Sequence, residues 1–287
     1  MFRVASVSKI VVGQALAYWL KQTGHGWETP AETLLGWSLG GRKVTVGAIA
    51  AHHSGLTDDA GYLLAPEQSL RDFCQNNEIW RNQNTAYFEY SNLGYIILAA
   101  IIEKLSGRDF ANAVAGLVPE GGGFNWGGVA ADRMANALPT YRRDYNRFVP
   151  QIDAPPVPAA PYGNVGRFSP QGGLRLSLAG MLSLAESLSS ADTTVLWRQS
   201  DGPGTYLDGV FQHYGAGLQI FDAPAFYPRP LIGHFGNAYG FNGGVWYDAA
   251  TRTAFAYALN GLETGDEDDS FSTEERAIFS LIAELEG

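Results

Sequence analysis

The motif Ser6-Val7-Ser8-Lys9 opens the first long apolar segment of the chain, "SVSKIVVGQALAYWLKQT" from Ser6 to Thr23. Apolar residues would cover nearly every side of a helix with this sequence, and Gly24 supplies a stop, so the segment predicts a core helix. Residues i and i+3 share one helical face. The spacing therefore brings the Ser6 hydroxyl and the Lys9 amine within reach of each other.

This pair suggests nucleophilic chemistry. A lysine with its ordinary pKa of about 10.4 is a poor base at neutral pH. Burial and the positive end of a helix both disfavour the charged form, so Lys9 would supply a neutral amine that takes the Ser6 proton. The helix start would also offer the Ser6 N–H to a developing oxyanion. The alternative is an N-capping serine beside a solvated lysine, and S-x-x-K alone does not separate the two.

Composition limits the classes of function. The 287 residues are 46% hydrophobic and 17% charged, which predicts a large core in one domain or two closely packed ones. The net charge of -10 argues against nucleic acid or an anionic membrane as a partner. The longest apolar run, "YIILAAII", is too short for a membrane span. Only five residues precede Ser6, too few for a signal peptide. As written the chain is expected to stay in the cytoplasm, unless its natural start has been removed.

Three regions are expected along the chain. Residues 1–24 form the core helix that bears Ser6, and residues 25–173 form a mainly helical region with long loops. Residues 174–287 form an antiparallel sheet with a C-terminal helix, which packs with 1–24 as one unit. Helices are predicted after Thr45, from Ser91 or Asn92 to Gly107, and throughout "LRLSLAGMLSLAESL". Gly and Pro are dense in 119–173 and predict surface loops there.

The last third alternates short aromatic and branched runs with turn signals, as antiparallel strands do. A hairpin is predicted around "AATR", between Val245–Asp248 and Thr253–Asn260. Ser272 and Glu275 form a capping box before the final helix. The apolar stripe predicted to lie on the sheet consists of Ile278, Leu281, Ile282 and Leu285. Helices, then strands, then a helix indicate an α+β fold.

Two further motifs carry polar groups. Tyr90-Ser91-Asn92 stands where a helix begins; a phenol with a lowered pKa shuttles protons, and an amide orients a carbonyl or a lysine. His234-Phe235-Gly236 lies on a predicted strand, where glycine permits close backbone approach. That strand edge would pair with a peptide-like ligand, and the Asn237 N–H would face an oxyanion. Each motif alone also fits a structural role.

Taken in this order, S-x-x-K, Y-S-N and H-x-G resemble the penicillin-recognising serine hydrolases, which include class C β-lactamases, D-Ala-D-Ala carboxypeptidases, D-aminopeptidases and esterases. Further segments resemble the same family: "VTVGAIAAHHSGL", "FEYSNLGYIILAAIIEKLSG", "SPQGGLRLSLAGML" and "YGAGLQIF". The resemblance extends over almost the whole chain. It implies a β-lactamase/transpeptidase-like fold, in which helices flank an antiparallel sheet, an all-helical region lies beside it, and the site lies in the cleft between them.

The resemblance also implies roles for individual residues. Ser6 would form an acyl-enzyme, with Lys9 and Tyr90 as the base pair that also protonates the leaving group. Asn92 would position the substrate amide. The oxyanion hole would consist of the Ser6 and Asn237 N–H groups.

On the late strand, His234 would shape the electrostatics near Tyr90 and near the far end of the substrate, and Gly236 would belong to the substrate-binding edge. The family uses no metal and no organic cofactor, and its members are often exported.

Many members have Lys-Thr-Gly where this chain has His234-Phe235-Gly236. Because Phe235 has no hydroxyl to bind a carboxylate, we expect small or peptide-like esters and neutral amides as substrates. A β-lactamase and a non-catalytic binding or scaffold protein remain alternatives.

Family members also carry strands before the nucleophile that pair with the C-terminal strand. The N-terminal strands are apparently missing here, which would leave Thr253–Asn260 as an edge without a charged residue. Missing upstream residues, self-association into a homo-oligomer and a covering segment are the three expectations, with the first favoured.

Overall fold

The computed structural model describes residues 1–40, 42–64, 68–81, 87–125, 131–135, 137–144, 146–151, 168–199, 210–222, 224–261 and 271–285. Most of the Pro-rich loop expected within 119–173 lies outside these residues, as does the acidic segment 262–270.

The helices are α1 (Ser8–Gln22), α2 (Ala31–Leu35), α3 (Val46–Ala50), α4 (Leu70–Asn76), α5 (Asn92–Ser106), α6 (Phe110–Val114), α7 (Ala131–Ala135), α8 (Leu178–Ser187) and α9 (Thr273–Leu285). Short 3-10 helices cover Ala5–Val7, Ala115–Leu117 and Leu188–Ser190. The strands are β1 (Phe2–Arg3), β2 (Gly123–Phe124), β3 (Thr140–Asp144), β4 (Arg147–Gln151), β5 (Leu174–Leu176), β6 (Trp197–Arg198), β7 (His213–Tyr214), β8 (Gln219–Phe221), β9 (Leu231–Ala238), β10 (Phe241–Asp248) and β11 (Thr253–Asn260).

The main sheet is antiparallel, with strand order β11-β10-β9-β8-β7-β6. The predicted hairpin is confirmed, because Asp248 pairs with Thr253 across the turn. Smaller sheets have the orders β1-β5-β2 and β3-β4. Helix α8 packs on β10 and β11, and α1 packs on α5. The α+β fold with helices around an antiparallel sheet is confirmed.

The predicted helix caps are also confirmed. The Thr45 side chain accepts a hydrogen bond from Ala48 N, and the Ser91 side chain accepts one from Gly94 N. At the last helix, Ser272 Oγ accepts from Glu275 N while Glu275 Oε2 accepts from Ser272 N. Each side chain satisfies a donor that a helix start leaves without a backbone partner.

The apolar stripe predicted on α9 is wrong in part. Leu281 and Leu285 are 55% and 71% exposed, whereas Phe279 is fully buried. The Phe279 ring contacts the rings of Trp246 and Tyr257 on the sheet. The helix is therefore rotated toward its single large aromatic residue, which buries more apolar surface than the leucine edge would.

Two other local expectations need correction. The helix predicted from Leu174 begins only at Leu178, because Ser177 caps it and Leu174–Leu176 pairs with β1 as strand β5. The expected loop region also contains β2, α7 and the hairpin of β3 and β4. The β4 residues are mostly exposed, so this hairpin lacks the buried alternation that identifies a strand in a sequence.

Glycines bring the first helix against the sheet. A Cβ on Gly217 would lie 1.9 Å from the Lys9 carbonyl oxygen, and a Cβ on Gly236 would lie 2.5 Å from the Val4 carbonyl oxygen. Any larger residue would force these backbones apart. The turn that carries Ser6 therefore lies directly on β9.

Within the described residues, no helix combines the length and the apolar character that crossing a membrane requires. Strand β11 is the terminal strand of the described main sheet. The three-region division of the chain at residues 24 and 173 stays a prediction.

Candidate active site

Ser6 lies in the 3-10 helix that precedes α1, two residues before the α-helix begins. Ala5 adopts a positive φ of 46°, a conformation that is sparsely populated for residues with a side chain and often occurs at functional sites. Ser8 Oγ donates to the Ala5 carbonyl at 2.5 Å and accepts from Leu174 N at 3.0 Å. Ser8 thereby ties the turn to β5.

Lys9 is fully buried and its Nζ atom contacts three oxygen atoms. The distances are 3.1 Å to Ser6 Oγ, 2.8 Å to Asn92 Oδ1 and 2.9 Å to the Gln171 carbonyl oxygen. The amide and carbonyl oxygens only accept hydrogen bonds, whereas a hydroxyl also donates. A neutral amine fits this arrangement: two hydrogens point to the two acceptors, and the lone pair points to the Ser6 hydroxyl.

Burial lowers the pKa of Lys9 from 10.5 to about 7, against the opposing effect of the negative charge on Asp58. Removing an ammonium from water disfavours it, so a fully buried lysine gives up its proton more readily. The amine is therefore available as a base near neutral pH, as the sequence predicts for this position.

Asn92 begins α5 beside Lys9, and its amide is held by a residue that the sequence analysis missed. Asp58 Oδ2 accepts hydrogen bonds from both Asn92 N and Asn92 Nδ2. A carboxylate beside a helix start is favourable. The sequence does not show which of the neighbouring residues Asp58 and Asp59 takes that place. The Gln171 carbonyl was missed for a different reason: backbone acceptors leave no signal in residue type.

Tyr90 is adjacent to this cluster, with Lys9 Nζ 4.7 Å from the centre of its ring. Its buried hydroxyl has no hydrogen-bond partner of standard geometry among the described residues. The expectation of a lowered pKa is wrong: burial raises the pKa of Tyr90 well above 10, and the nearby Ser6 hydroxyl offsets this only in part. Tyr90 is therefore a protonated donor in the free protein. The His52 ring stacks beside it at 4.3 Å.

His234 is fully buried under the site, with its ring 6.3 Å from that of Tyr90. Its Nδ1 lies 2.5 Å from the Phe235 carbonyl oxygen, which only accepts, so Nδ1 carries the hydrogen. Nε2 then accepts from the Tyr214 hydroxyl at 2.7 Å. Burial, and to a lesser extent the charge of Lys9, lower the pKa of His234 to about 3. His234 is a neutral, internally bonded side chain.

Strand β9 supplies the other side of the site. Strand β8 pairs with β9 only as far as Gly233, and the Phe235 N–H beyond that point donates to the Gln219 side chain at 2.9 Å. Backbone groups two residues apart in a strand point the same way, so the Asn237 N–H faces the same edge. Gly236 lies between them and lets the Ser6 turn approach.

A cavity of about 340 Å³ opens between these two sides. Its lining includes Ser6, Tyr90, Asn92 and Asn237, together with the aromatic residues Tyr62, Phe211, Phe235 and Tyr239. None of the described residues that line it carries a formal charge. His234 and Gly236 are not among the residues that line the cavity. The described residues hold no group of three or more His, Cys, Asp or Glu side chains able to bind a metal ion.

Known proteins share this fold. The D-amino acid amidase of Ochrobactrum anthropi SV3, solved with D-phenylalanine, is 17% identical with a TM-score of 0.70, over 98% of this chain and 92% of that one. A Beta-lactamase/D-alanine carboxypeptidase of Yersinia pestis, solved with citrate, is 13% identical with a TM-score of 0.72, over 99% and 83%. At such identities the likeness concerns the fold.

Sequence comparison gives a partial match and a family. Penicillin-binding protein 4* of Bacillus subtilis (strain 168) is 30% identical over 129 residues, which cover 40% of this chain and only 27% of that protein's length. The Beta-lactamase family model matches residues 1–277. The resemblance drawn from the three motifs is thereby confirmed: the chain belongs to the Beta-lactamase family.

Proposed function

We propose that this protein is a serine hydrolase that forms an acyl-Ser6 intermediate on an amide or ester, of the D-peptidase, D-aminopeptidase or esterase type. The observation that carries the proposal is the geometry at Lys9. A fully buried amine, with two acceptors for its hydrogens and its third neighbour the Ser6 hydroxyl, is arranged as a general base.

The reaction follows from the positions of these groups. Ser6 Oγ attacks the substrate carbonyl carbon while its proton passes to Lys9 Nζ. The oxyanion accepts hydrogen bonds from Ser6 N and Asn237 N. Tyr90 donates its proton to the leaving group and regains one from the Lys9 ammonium. Water then attacks the acyl carbon while one of its protons passes to Lys9 Nζ. The bond between that carbon and Ser6 Oγ breaks, the acid leaves, and Lys9 returns the proton to Ser6 Oγ.

The cavity favours uncharged substrates. Its described lining is aromatic and amide-rich without a formal charge, and the resemblance to Lys-Thr-Gly implies that Phe235 occupies the position of a carboxylate-binding hydroxyl. A buried ionised carboxylate without a partner is costly to bind. We expect short esters and neutral amides, including amino acid amides, to react faster than penicillins or cephalosporins. Efficient cephalosporin turnover would instead favour the β-lactamase alternative.

Covalent labelling tests the proposal. The protein is incubated with a fluorophosphonate, and the adduct is located by mass spectrometry of peptides. We expect one adduct on Ser6, none in Ser6→Ala, and full labelling in Ser189→Ala, which alters an exposed serine. Folded protein without an adduct, together with no turnover of a p-nitrophenyl ester, would favour the scaffold alternative.

The edge of β11 stays a predicted surface for self-association. The strand carries no proline and no charged residue along its length, and unprotected edges tend to pair with a second copy. Sedimentation velocity of the protein and of Ala256→Lys measures this. If the unaltered protein and Ala256→Lys both sediment as monomers with the same coefficient, self-association through β11 is contradicted.

A further inference from the structure

Asp58 contacts the start of α5 through both carboxylate oxygens. Oδ1 accepts hydrogen bonds from Ser91 Oγ at 3.0 Å and from Leu93 N at 3.0 Å. Oδ2 accepts from Asn92 N at 2.8 Å and from Asn92 Nδ2 at 2.9 Å. All four partners are donors, which is the environment that an ionised carboxylate requires.

One of these four bonds determines which way the Asn92 amide faces. With Nδ2 on Asp58, the other end of the amide, Oδ1, points to Lys9 Nζ at 2.8 Å. If the amide were turned over, its oxygen would face the Asp58 carboxylate and its NH₂ group would face the Lys9 amine. The contact with Asp58 would then be unfavourable, because acceptor would meet acceptor. The contact with Lys9 would draw the lone pair of its neutral amine toward the Asn92 amide and away from Ser6.

The orientation of Asn92 in turn determines where the lone pair of Lys9 points. While Asn92 Oδ1 and the Gln171 carbonyl each take one hydrogen, the remaining direction on Nζ is toward Ser6 Oγ at 3.1 Å. We propose that Asp58 is a positioning residue for the hydrolytic reaction, which holds the Asn92 amide so that the Lys9 lone pair faces Ser6. This inference rests on the proposed function of Ser6 and Lys9.

The charge of Asp58 has a separate effect on Lys9. The other titratable groups around Lys9 are His52, His234, Tyr90 and Tyr95. Burial lowers the pKa of both histidines and raises the pKa of both tyrosines, so all four are neutral near pH 7. Among the described residues Asp58 remains as the charged neighbour, and it raises the pKa of Lys9.

The sign of a pH effect follows. The base must be deprotonated, so kcat/KM rises as pH passes upward through the pKa of Lys9, about 7. Without the Asp58 charge the ammonium is less stable and loses its proton at a lower pH. The acidic limb of the pH profile should then move to lower pH.

Asp58→Asn and its matched control Asp59→Asn test the inference. Asp59 is the next residue, is exposed, and pairs with Arg81 on the surface, so the control removes the same charge without touching Asn92. In Asp58→Asn an NH₂ group replaces one acceptor, so the Asn92 amide loses its fixed orientation. We expect kcat on a p-nitrophenyl ester to fall by about 10- to 100-fold, with a small change in KM. The acidic limb should move down in Asp58→Asn and stay in place in Asp59→Asn.

A purely structural role for Asp58 would lower the yield or the melting temperature without moving the limb. If Asp58→Asn does not fold, Asp58→Glu keeps the charge but displaces the carboxylate by one methylene. In Asp58→Glu we expect a lower kcat and an unmoved limb. The inference is overturned if folded Asp58→Asn or folded Asp58→Glu has the same kcat as Asp59→Asn. It is also overturned if the acidic limb of the pH profile stays in place in Asp58→Asn. Failure of the proposed function is distinguishable, because the unaltered protein would then show no phosphonate adduct on Ser6.

Discussion

The two sides of the cleft differ in how their polar groups are satisfied. On the helical side, Lys9, Asn92 and Asp58 bond one another in a continuous network that includes the Gln171 carbonyl. On the strand side, β9 continues beyond the end of β8, and no strand in the described part of the chain pairs with its outward N–H groups there. In the proposed mechanism, the groups that would act on Ser6 are therefore set before a substrate arrives, whereas the groups that would bind the substrate remain available to it.

The largest effect is expected on the helical side, at Lys9. Lys9→Met keeps the length of the side chain but removes the base, and we expect kcat/KM for a p-nitrophenyl ester to fall by about 10³- to 10⁴-fold. Lys9→Arg should be as inactive, because a guanidinium stays protonated. Lys21→Met, in the last turn of the same helix, is the control and should retain full activity.

Stopped-flow or steady-state assays between pH 5 and 9 complete this test. The unaltered protein should lose kcat/KM as pH falls through about 7, where Lys9 gains its proton. A variant such as Lys9→Met that keeps more than about a tenth of the activity would show that the network on the helical side is structural. The difference between the helical side and the strand side of the cleft would then not reflect a difference in their roles in the reaction.

An intermediate effect is expected on the strand side, at Gly236. In Gly236→Ala the new Cβ would lie 2.5 Å from the Val4 carbonyl oxygen, and backbone has little freedom to give way. We expect the free energy of unfolding to fall by about 1–3 kcal/mol. Activity should fall by about 10- to 100-fold, because Ser6 moves relative to β9.

The control for this substitution is Gly26→Ala, where a Cβ meets nothing within 4 Å. Urea denaturation and ester hydrolysis measure both variants. Gly236→Ala with the stability and activity of Gly26→Ala would mean that the two sides of the cleft do not depend on this close approach.

The sequence predicts those parts of the site that are local. Ser6 and Lys9 are three residues apart, so helical periodicity alone brings them together. The Ser91 cap and the hairpin from Val245 to Asn260 likewise depend on neighbouring residues. Local rules also failed where packing decides, as on α9, where Phe279 rather than Leu281 faces the sheet.

Contacts between distant segments, and effects of burial, could not be predicted in this way. Asp58 reaches Asn92 across 34 residues, and nothing in the pair "DD" distinguishes Asp58 from Asp59. The direction in which the pKa of Tyr90 shifts depends on the burial of its hydroxyl, which composition does not give for one side chain. The motif H-x-G likewise does not show that Tyr214 and the Phe235 carbonyl occupy both nitrogens of the His234 ring.

The smallest effect is expected at Phe235, and it concerns substrate preference. Phe235 lines the cavity on the strand side, where its ring contacts those of Phe211 and Phe271. Phe235→Thr and Phe235→Val remove the same aromatic ring and have nearly the same shape, so they differ by one hydroxyl. A hydrogen bond to a charged group is worth about 1.5 kcal/mol or more, which corresponds to about tenfold in rate or affinity. We therefore expect kcat/KM for a penicillin, relative to a neutral ester, to be about tenfold higher in Phe235→Thr than in Phe235→Val. The two variants should have similar melting temperatures, since both lose the same ring contacts. Equal preference in both variants would mean that the strand side does not select against carboxylates at this residue, and that the other uncharged residues described in the lining account for the selectivity.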